Sequence, residues 1–219
     1  MANALYYGDN LAVLRDSIAS DSVDLIYLDP PFNSQASYNV LFKGPSGKAA
    51  DAQIEAFEDT WHWGEGAERA FSEVLASTYT QAAELLRAMR SFLGDNDVMA
   101  YLAMMAVRLI ELQRVLKPTG SLYLHCDPTA SHYLKTLLDG IFGARNYINE
   151  ISWRRTTAKA DYVQGAKHFP RLRDTILFYR KEPDANRIFR QPFTDYDVNY
   201  VSSKYRYRDE TGRIYRLDN

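Results

Sequence analysis

Short apolar runs alternate with polar turns along this chain, and the most apolar of them predict strands. Val23–Leu28 is short and rich in β-forming residues, as is typical of a central strand that is covered on both faces. Ser121–Cys126 predicts a second buried strand. Two further strands are predicted at Thr175–Tyr179 and Ile148–Trp153. Leu5–Tyr7 predicts a short strand near the start of the chain.

A helical stripe is the clearest periodic signal in the sequence. Apolar residues recur at spacings of 4, 3, 4, 3 and 4, at Val98, Leu102, Met105, Leu109, Leu112 and Leu116. This spacing predicts a helix with one apolar face. We expect the helix to begin after Asn96 or Asp97, to end at Lys117–Gly120 and to cover one face of the sheet.

Other helices are predicted between the strands. Leu11–Ser17 suits a helix that is capped by Asp9 or Asn10, and Asp127 followed by a proline predicts the start of a helix that ends at Phe142. Strands that alternate with helices imply a parallel sheet. The last two strands are close enough in sequence to form an antiparallel hairpin at a sheet edge. The fold class is therefore α/β.

Charge is distributed unevenly over the 219 residues, although the net charge is only −2. Residues 1–152 hold 11 Lys and Arg against 19 Asp and Glu, whereas residues 153–219 hold 15 against 9. A basic, aromatic-rich tail on an acidic body is consistent with phosphate contacts from the tail. A solvated charged surface explains the same pattern equally well.

Several function classes are disfavoured by the composition. The single cysteine, Cys126, excludes an internal disulfide and fits a reducing compartment. We predict no metal site, because the histidines at 62, 125, 132 and 168 lack metal-ligand spacing. No run is long enough to span a bilayer, and no secretory signal opens the chain, so no membrane partner and a cytoplasmic location are expected.

The most informative chemistry follows the Val23–Leu28 strand, at Asp29-Pro30-Pro31-Phe32. The prolines end the strand because they have no N–H to donate, so Asp29 is placed at a carboxyl strand end, where open α/β sheets bind ligands. Such a corner suits alkylation of an amino group on a ring. An ordinary strand-to-loop turn is the competing interpretation.

Each residue of this corner has a predicted role. The carboxylate of Asp29 and the carbonyl of Pro30 would accept the two N–H bonds of the amine and align its lone pair for attack. Pro31 would hold the turn. Phe32 would stack on a base that is turned out of the duplex.

These residues resemble the catalytic tetrapeptide of amino-group DNA methyltransferases, and Asn33 and Ser34 extend the resemblance. Nearly the whole chain resembles the N-terminal part of an adenine-N6 DNA methyltransferase in which the catalytic half precedes the cofactor half, as in type III modification subunits. The segments that carry the resemblance are Gly8–Asn10, Leu28–Asn33, Gly120–Asp127, Asn149–Ile151 and Asp174–Tyr179.

The resemblance implies a Rossmann-like, circularly permuted fold that binds S-adenosyl-L-methionine. Asp rather than Ser before the two prolines favours adenine N6 over cytosine N4. The residues expected to contact the cofactor are Asp9, Asn10, Asp29, His125 and Asp127. Helix capping is a competing role for Asp9 and the favoured main role for Asp127.

Double-stranded DNA is the expected partner, and polar and basic residues around the corner are its predicted contacts. They are Asn33, Arg154, Arg155, Lys159, Lys167, Arg171 and Arg173. Residues 1–182 would form the catalytic part, and residues 183–219 the start of a target-recognition region. A hairpin with its turn at Glu210–Gly212 is predicted in that region.

One family feature is missing from the sequence. Members have a Phe-x-Gly-x-Gly segment for the amino-acid end of the cofactor, and none is present here. We therefore expect an incomplete, truncated methyltransferase. The alternatives are a non-catalytic DNA-binding or assembly module and one half of a split enzyme; cytosine-N4 and RNA or other amide methylation are minor ones. A restriction subunit, a complementing C-terminal half and a second copy in a homodimer are the expected protein partners.

Overall fold

The computed structural model describes residues 3–30, 37–40, 54–58, 62–127, 130–155, 172–191, 193 and 195–217, with the backbone alone for 37–40 and 54–58. The chain forms two compact units, Met1–Arg187 and Ile188–Asn219. The boundary between a catalytic part and a target-recognition region at residues 182 and 183 stays a prediction.

The first unit contains helices and strands in alternation. Its helices are α1 (Asn10–Ser17), α2 (Glu65–Ala76), α3 (Thr80–Leu93), α4 (Asp97–Val115) and α5 (Ser131–Phe142), with a 3-10 turn at Ala144–Asn146. Its strands are β1 (Val23–Leu28), β2 (Ser37–Val40), β3 (Ile54–Glu58), β4 (Leu116–Cys126), β5 (Tyr147–Arg154) and β6 (Arg173–Arg180).

Four of these strands form one sheet in the order β1-β4-β6-β5. β1 is parallel to β4, and β6 is antiparallel to both β4 and β5. The predicted hairpin of the last two strands at a sheet edge is confirmed, and β2 and β3 form a separate antiparallel pair. A sheet with a parallel pair and a helical layer confirms the α/β class and fits the predicted Rossmann-like fold.

The helices pack against one face of this sheet. Alternate strand residues, such as Ile26, Leu122 and Leu177, belong to the same hydrophobic cluster as the helical side chains. Helix α4 is the centre of that cluster, with Leu102 and Leu109 fully buried. The predicted apolar stripe is therefore core, and the prediction that it covers the sheet is confirmed.

Three sequence predictions are wrong in detail. Leu5–Tyr7 forms no strand, because it pairs with none of the described strands and Leu5 is 98% exposed. β4 begins five residues early, at Leu116, because Val23 at the start of β1 pairs with Leu116. Helix α5 begins at Ser131 and not directly after Asp127, although its end at Phe142 is as predicted.

Trp63 illustrates how an aromatic residue beside a loop joins the core. Its ring meets that of Phe71 edge-on at 6.0 Å, and the guanidinium of Arg90 lies 4.2 Å from the ring centroid. Arg90 also pairs with Glu68 and Asp95, which fixes it over the ring. Trp63 is thus packed onto α2 and α3 and not presented as a free stacking surface.

The second unit contains α6 (Val198–Lys204) and a small hairpin of β7 (Tyr207–Arg208) and β8 (Ile214–Tyr215). The side chain of Asp197 caps α6. Asp209 accepts several hydrogen bonds in the hairpin turn, and Gly212 has the positive φ of 88° that this turn requires. The predicted hairpin is confirmed.

Cys126 ends β4 inside the core. Its side chain is buried, and burial raises the pKa of the thiol to about 12, with smaller contributions from the negative charges of Asp127, Glu150 and Asp174. A thiol with so high a pKa is protonated at neutral pH and is a poor nucleophile. The interpretation of Cys126 as a structural residue is supported. In the part of the chain that the structure describes, no helix is long and apolar enough to cross a membrane.

Truncation of the α4 core tests this packing. Leu109→Ala should lower the free energy of unfolding by about 2–5 kcal/mol, because it removes a fully buried side chain and leaves a cavity. Leu5→Ala is the matched control, since Leu5 is almost fully exposed, and it should change stability by less than about 0.5 kcal/mol. Urea unfolding followed by circular dichroism measures both; equal effects would contradict the assignment of α4 as core.

Alkylation tests the environment of Cys126. At pH 8.5 the folded chain should react with iodoacetamide at least about 100-fold more slowly than the chain in denaturant, because the thiolate is the reacting form and the folded thiol stays protonated. Raising the pH should accelerate the native reaction, because the fraction of thiolate rises until the pH reaches the pKa. Mass spectrometry of time points gives both rates, and comparable rates would show an accessible thiol.

Candidate active site

Parallel pairing of β1 with β4 places two sequence-predicted residues side by side. Leu28 is opposite Leu124 in the register, so Asp29 and His125 are the next positions along the two strands. Asp29 Oδ1 lies 3.0 Å from His125 Nδ1. The carboxyl ends of neighbouring parallel strands thus form one rim, as the sequence predicts.

Asp29 and Pro30 differ sharply in exposure. The side chain of Asp29 is 58% exposed, whereas Pro30 is buried. The buried proline ends the ladder and fixes the backbone, and the carboxylate remains accessible to a ligand. Pro31, Phe32 and Asn33, which have predicted roles at this corner, lie outside the described residues.

His125 also faces a second carboxylate. Its Nε2 lies 3.4 Å from Oδ2 of Asp174, which is the second residue of β6 and is only 5% exposed. The imidazole therefore spans an exposed carboxylate and a buried one. Burial of a charge is costly unless an opposite charge or hydrogen bonds offset it, so the neighbours of Asp174 are structurally important.

Arg155 is a further neighbour of Asp174. Its Nε lies 3.3 Å from the same Oδ2, and its backbone N–H donates to the carbonyl of Leu172. The side chain of Arg155 is still 54% exposed. Acidic and basic side chains thus alternate along the rim, in the order Asp29, His125, Asp174 and Arg155.

Two residues of this rim were missed by sequence reasoning. Asp174 is a charged residue next to an apolar strand, and that contrast is the signal that identifies it. Tyr27 lies on β1, with its ring centroid 6.5 Å from that of His125. Burial raises the pKa of Tyr27, and the negative charge of Asp29 raises it further. A half-exposed tyrosine beside the carboxylate is a candidate surface for a flat ligand.

The predicted cofactor contacts at the start of α1 have local partners. Asp9 Oδ1 accepts from the backbone N–H of Leu11 at 2.9 Å and from Arg108 at 2.8 Å. Asn10 Oδ1 also accepts from Arg108, which is anchored on α4. The capping role of Asp9 is confirmed, and its contact with a cofactor stays a prediction.

Asp127 is likewise used locally. Its Oδ1 accepts a hydrogen bond from the backbone N–H of Ala130 at 3.0 Å. Its backbone carbonyl accepts a second hydrogen bond from the backbone N–H of Ser131, the first residue of α5. Asp127 thus bonds ahead of α5, whose N-cap is Ala130, so its prediction as the cap of this helix is wrong, and its contact with a cofactor stays a prediction. Among the described residues, no group of three or more His, Cys, Asp and Glu is arranged to hold a metal.

Three of the predicted DNA contacts lie at the end of the β5–β6 hairpin where the chain passes from one strand to the other. Arg154 is opposite Arg173 in the register, and Arg155 follows directly. Because Thr175 is opposite Cys126, this hairpin end is on the same rim as His125. Arg173 donates to Glu150 and Ser152, so its charge is partly satisfied within the hairpin. The other predicted contacts, Lys159, Lys167, Arg171 and Asn33, lie outside the described residues.

Comparison with known proteins places this geometry in a family. A sequence model described as "DNA methylase", which covers N6 and N4 methyltransferases, matches residues 23–218. The StyLTI Mod subunit, a type III restriction-modification enzyme of Salmonella typhimurium, is 29% identical over 93% of this chain and 29% of its own length. The type II methyltransferase M.EcaI of Enterobacter cloacae is 26% identical over 98% of the chain and 36% of its own length.

Solved structures give weaker similarities. The M1.HpyAVI–SAM complex matches with a TM-score of 0.43 and 11% identity, over 88% of this chain and 60% of that one. The PvuII cytosine-N4-specific DNA methyltransferase matches with a TM-score of 0.39 and 12% identity, over 93% and 64%. The chain spans about a third of the length of the curated relatives or less. The family match covers most of the chain, and this protein belongs to the DNA methylase family.

Proposed function

We propose that this chain is the catalytic part of a DNA methyltransferase that transfers a methyl group from S-adenosyl-L-methionine to the N6 amino group of adenine. The observation that carries the proposal is the accessible carboxylate of Asp29, which follows a parallel strand and precedes the buried Pro30. Family membership supplies the reaction class.

The corner suits an amine that is a poor nucleophile. The exocyclic nitrogen of adenine has two N–H bonds and a lone pair that is delocalised into the ring. Asp29 would accept one N–H and the Pro30 carbonyl the other, which fixes the lone pair in line for attack. After transfer the nitrogen carries one proton too many, and we propose Asp29 as its acceptor.

The described rim fits a positively charged methyl donor. S-adenosyl-L-methionine supplies a methyl group on a sulfonium centre, and the exposed carboxylate of Asp29 favours that charge. The half-exposed ring of Tyr27 offers an apolar face nearby. Asp9, Asn10 and Asp127 remain the proposed additional contacts. One solved structure that resembles this chain contains this cofactor.

Target DNA would be held by the basic hairpin end. Arg154 is exposed and Arg155 is about half-exposed, and both lie on the rim that carries Asp29. Guanidinium groups pair with phosphates and orient a duplex without reading its sequence. We propose these two arginines, with Arg173, as phosphate contacts that bring the target base to the corner. The tyrosine- and arginine-rich second unit would add further contacts to the DNA.

The choice of adenine over cytosine rests on the resemblance of Asp29-Pro30-Pro31-Phe32. The family covers N6 and N4 methylation, so cytosine N4 is the alternative target. Methylated DNA digested to deoxynucleosides distinguishes them, because N6-methyl-2′-deoxyadenosine and N4-methyl-2′-deoxycytidine differ in mass and retention. Detection of the cytosine product alone would overturn the adenine assignment.

A second candidate function follows from the length of the relatives. Because the chain spans only 29% of StyLTI Mod and 36% of M.EcaI, a DNA-binding module or one half of a split enzyme is also consistent with the geometry. Several relatives are named as subunits of restriction-modification enzymes, so a restriction subunit and a second copy of this chain are proposed partners. Calorimetry with S-adenosyl-L-methionine separates these functions: binding supports the enzyme, and DNA binding without cofactor binding supports the module.

Removal of the Asp29 charge tests the catalytic proposal. Asp29→Asn should lower transfer of radiolabelled methyl groups to DNA by at least about 100-fold, because the neutral amide cannot take the proton and accepts an N–H of the amine more weakly than a carboxylate does. The assay uses this chain and, where the gene extends further, the whole gene product. Asp24→Asn is the matched control on the same strand. Asp24 pairs with Lys117 at the other end of β1 and has no proposed role in the reaction, so this variant should retain activity within about twofold. Full activity of Asp29→Asn would remove the mechanism.

The salt dependence of DNA binding tests the proposed phosphate contacts. Arg154→Ala should weaken binding similarly for all DNA sequences and reduce the slope of log K against log salt by about 1, as expected when one phosphate contact is lost. Arg87→Ala, at an exposed position on α3, should leave the slope unchanged. Fluorescence anisotropy at several salt concentrations measures both, and an unchanged slope for Arg154→Ala would exclude that contact.

A further inference from the structure

His125 connects an exposed carboxylate with a buried one. Nδ1 lies 3.0 Å from Asp29, and Nε2 lies 3.4 Å from Asp174. The imidazole is itself largely buried, with 15% of its side chain exposed. Both ring nitrogens are buried, and they lie near two carboxylates of different exposure: Asp29 is open to a ligand, and Asp174 is not.

Three neighbouring strands fix this arrangement. Asp29 follows β1, His125 is in β4 and Asp174 is in β6, and the register of the sheet sets their relative positions. His125 is opposite Ile176, two residues after Asp174, so the two side chains are on the same face of the sheet. Groups on paired strands are held more rigidly than groups on loops.

The charge of Asp174 orients the ring. Only 5% of Asp174 is exposed, and its Oδ2 lies near both His125 and Arg155. A buried carboxylate favours basic neighbours, because loss of such a neighbour leaves its charge uncompensated. With Nε2 near Asp174, Nδ1 lies near Asp29.

We propose that His125 is a positioning residue that holds the carboxylate of Asp29 in the orientation that accepts the target amine, with Asp174 as its anchor. This inference rests on the proposed function, since His125 acts only through Asp29. It assigns to His125 a role other than the contact with the cofactor that the sequence predicts. The competing role is purely structural: the ring would only offset the buried charge of Asp174.

Asparagine and glutamine separate the two roles because they preserve different ends of the ring. The amide of Asn reaches the place of Nδ1, which faces Asp29, and the longer side chain of Gln reaches the place of Nε2, which faces Asp174. His125→Ala should lower kcat about 10- to 100-fold and leave the KM for DNA and cofactor within about twofold. His125→Asn should recover most of kcat, and His125→Gln should not.

Each other result contradicts the proposal. Recovery by Gln but not by Asn would show that the ring only supports Asp174. A rise in KM with unchanged kcat would show that His125 binds a substrate. His132→Ala and His132→Asn, at an exposed position on α5, are the matched controls and should stay within twofold of the wild-type chain. Thermal unfolding of all variants shows whether a loss of kcat reflects loss of fold.

A second readout does not depend on methyl transfer. The 13C chemical shift of the Asp29 carboxyl carbon, assigned by comparison with Asp29→Asn, should change in His125→Ala and return towards the wild-type value in His125→Asn. If the wild-type chain and the whole gene product transfer no methyl group, the proposed function fails while this shift still tests the positioning. An unchanged shift in His125→Ala overturns the positioning even where activity is present.

Discussion

The parallel pairing of β1 with β4 is the constraint on which the candidate site depends. The two strands are separated by about ninety residues of chain, and only their register brings Asp29 opposite His125. A slip of one residue would turn the side chains of one strand to the other face of the sheet. It would separate the carboxylate from the imidazole and also expose Ile26 and Leu28, which pack against the helices. Core packing and site geometry therefore enforce the same register.

The helical layer makes this register rigid. Leu109 and its neighbours on α4 fill the space against the sheet, and Tyr179 of β6 donates from its hydroxyl to Asp139 on α5. Lys117 at the start of β4 pairs with Asp24 of β1, and Lys181 after β6 pairs with Asp21 before β1. These pairs lie at the amino end of β1, away from the proposed corner. The end of the sheet that carries Asp29 thus retains exposed charge, while the opposite end is neutralised by local pairs.

A sequence prediction is accurate where a feature is determined by residues close to it in the chain, and it fails where the feature depends on residues that are distant in the chain. The bounds of β1 and the start of α4 are read correctly because their apolar patterns are set by neighbours within a few residues. The expectation that β1 is a central strand covered on both faces is wrong: β1 lies at the end of the described sheet, and Leu25 and Tyr27 are 57% and 55% exposed. Leu5–Tyr7 was predicted as a strand from composition alone, and a strand also needs a partner that no local pattern reveals. Asp174 was missed for the same reason, because its importance comes from His125 and Arg155, which are distant or on another strand.

The rim must hold a carboxylate close to the strongly negative backbone of DNA, and the positions of the arginines address that conflict. Asp29 is repelled by phosphate, so a duplex approaches only if nearby cations offset the repulsion. Arg154 and Arg155 lie on the same rim but on the far strand of the sheet, with β4 and β6 between them and Asp29. That spacing keeps the guanidinium groups from pairing directly with Asp29 and leaves its oxygens available for an amine. Asp174 occupies the space between as a buried negative charge, near Arg155 on one side and His125 on the other. The sheet order itself therefore separates phosphate binding from the carboxylate on which the proposed chemistry depends.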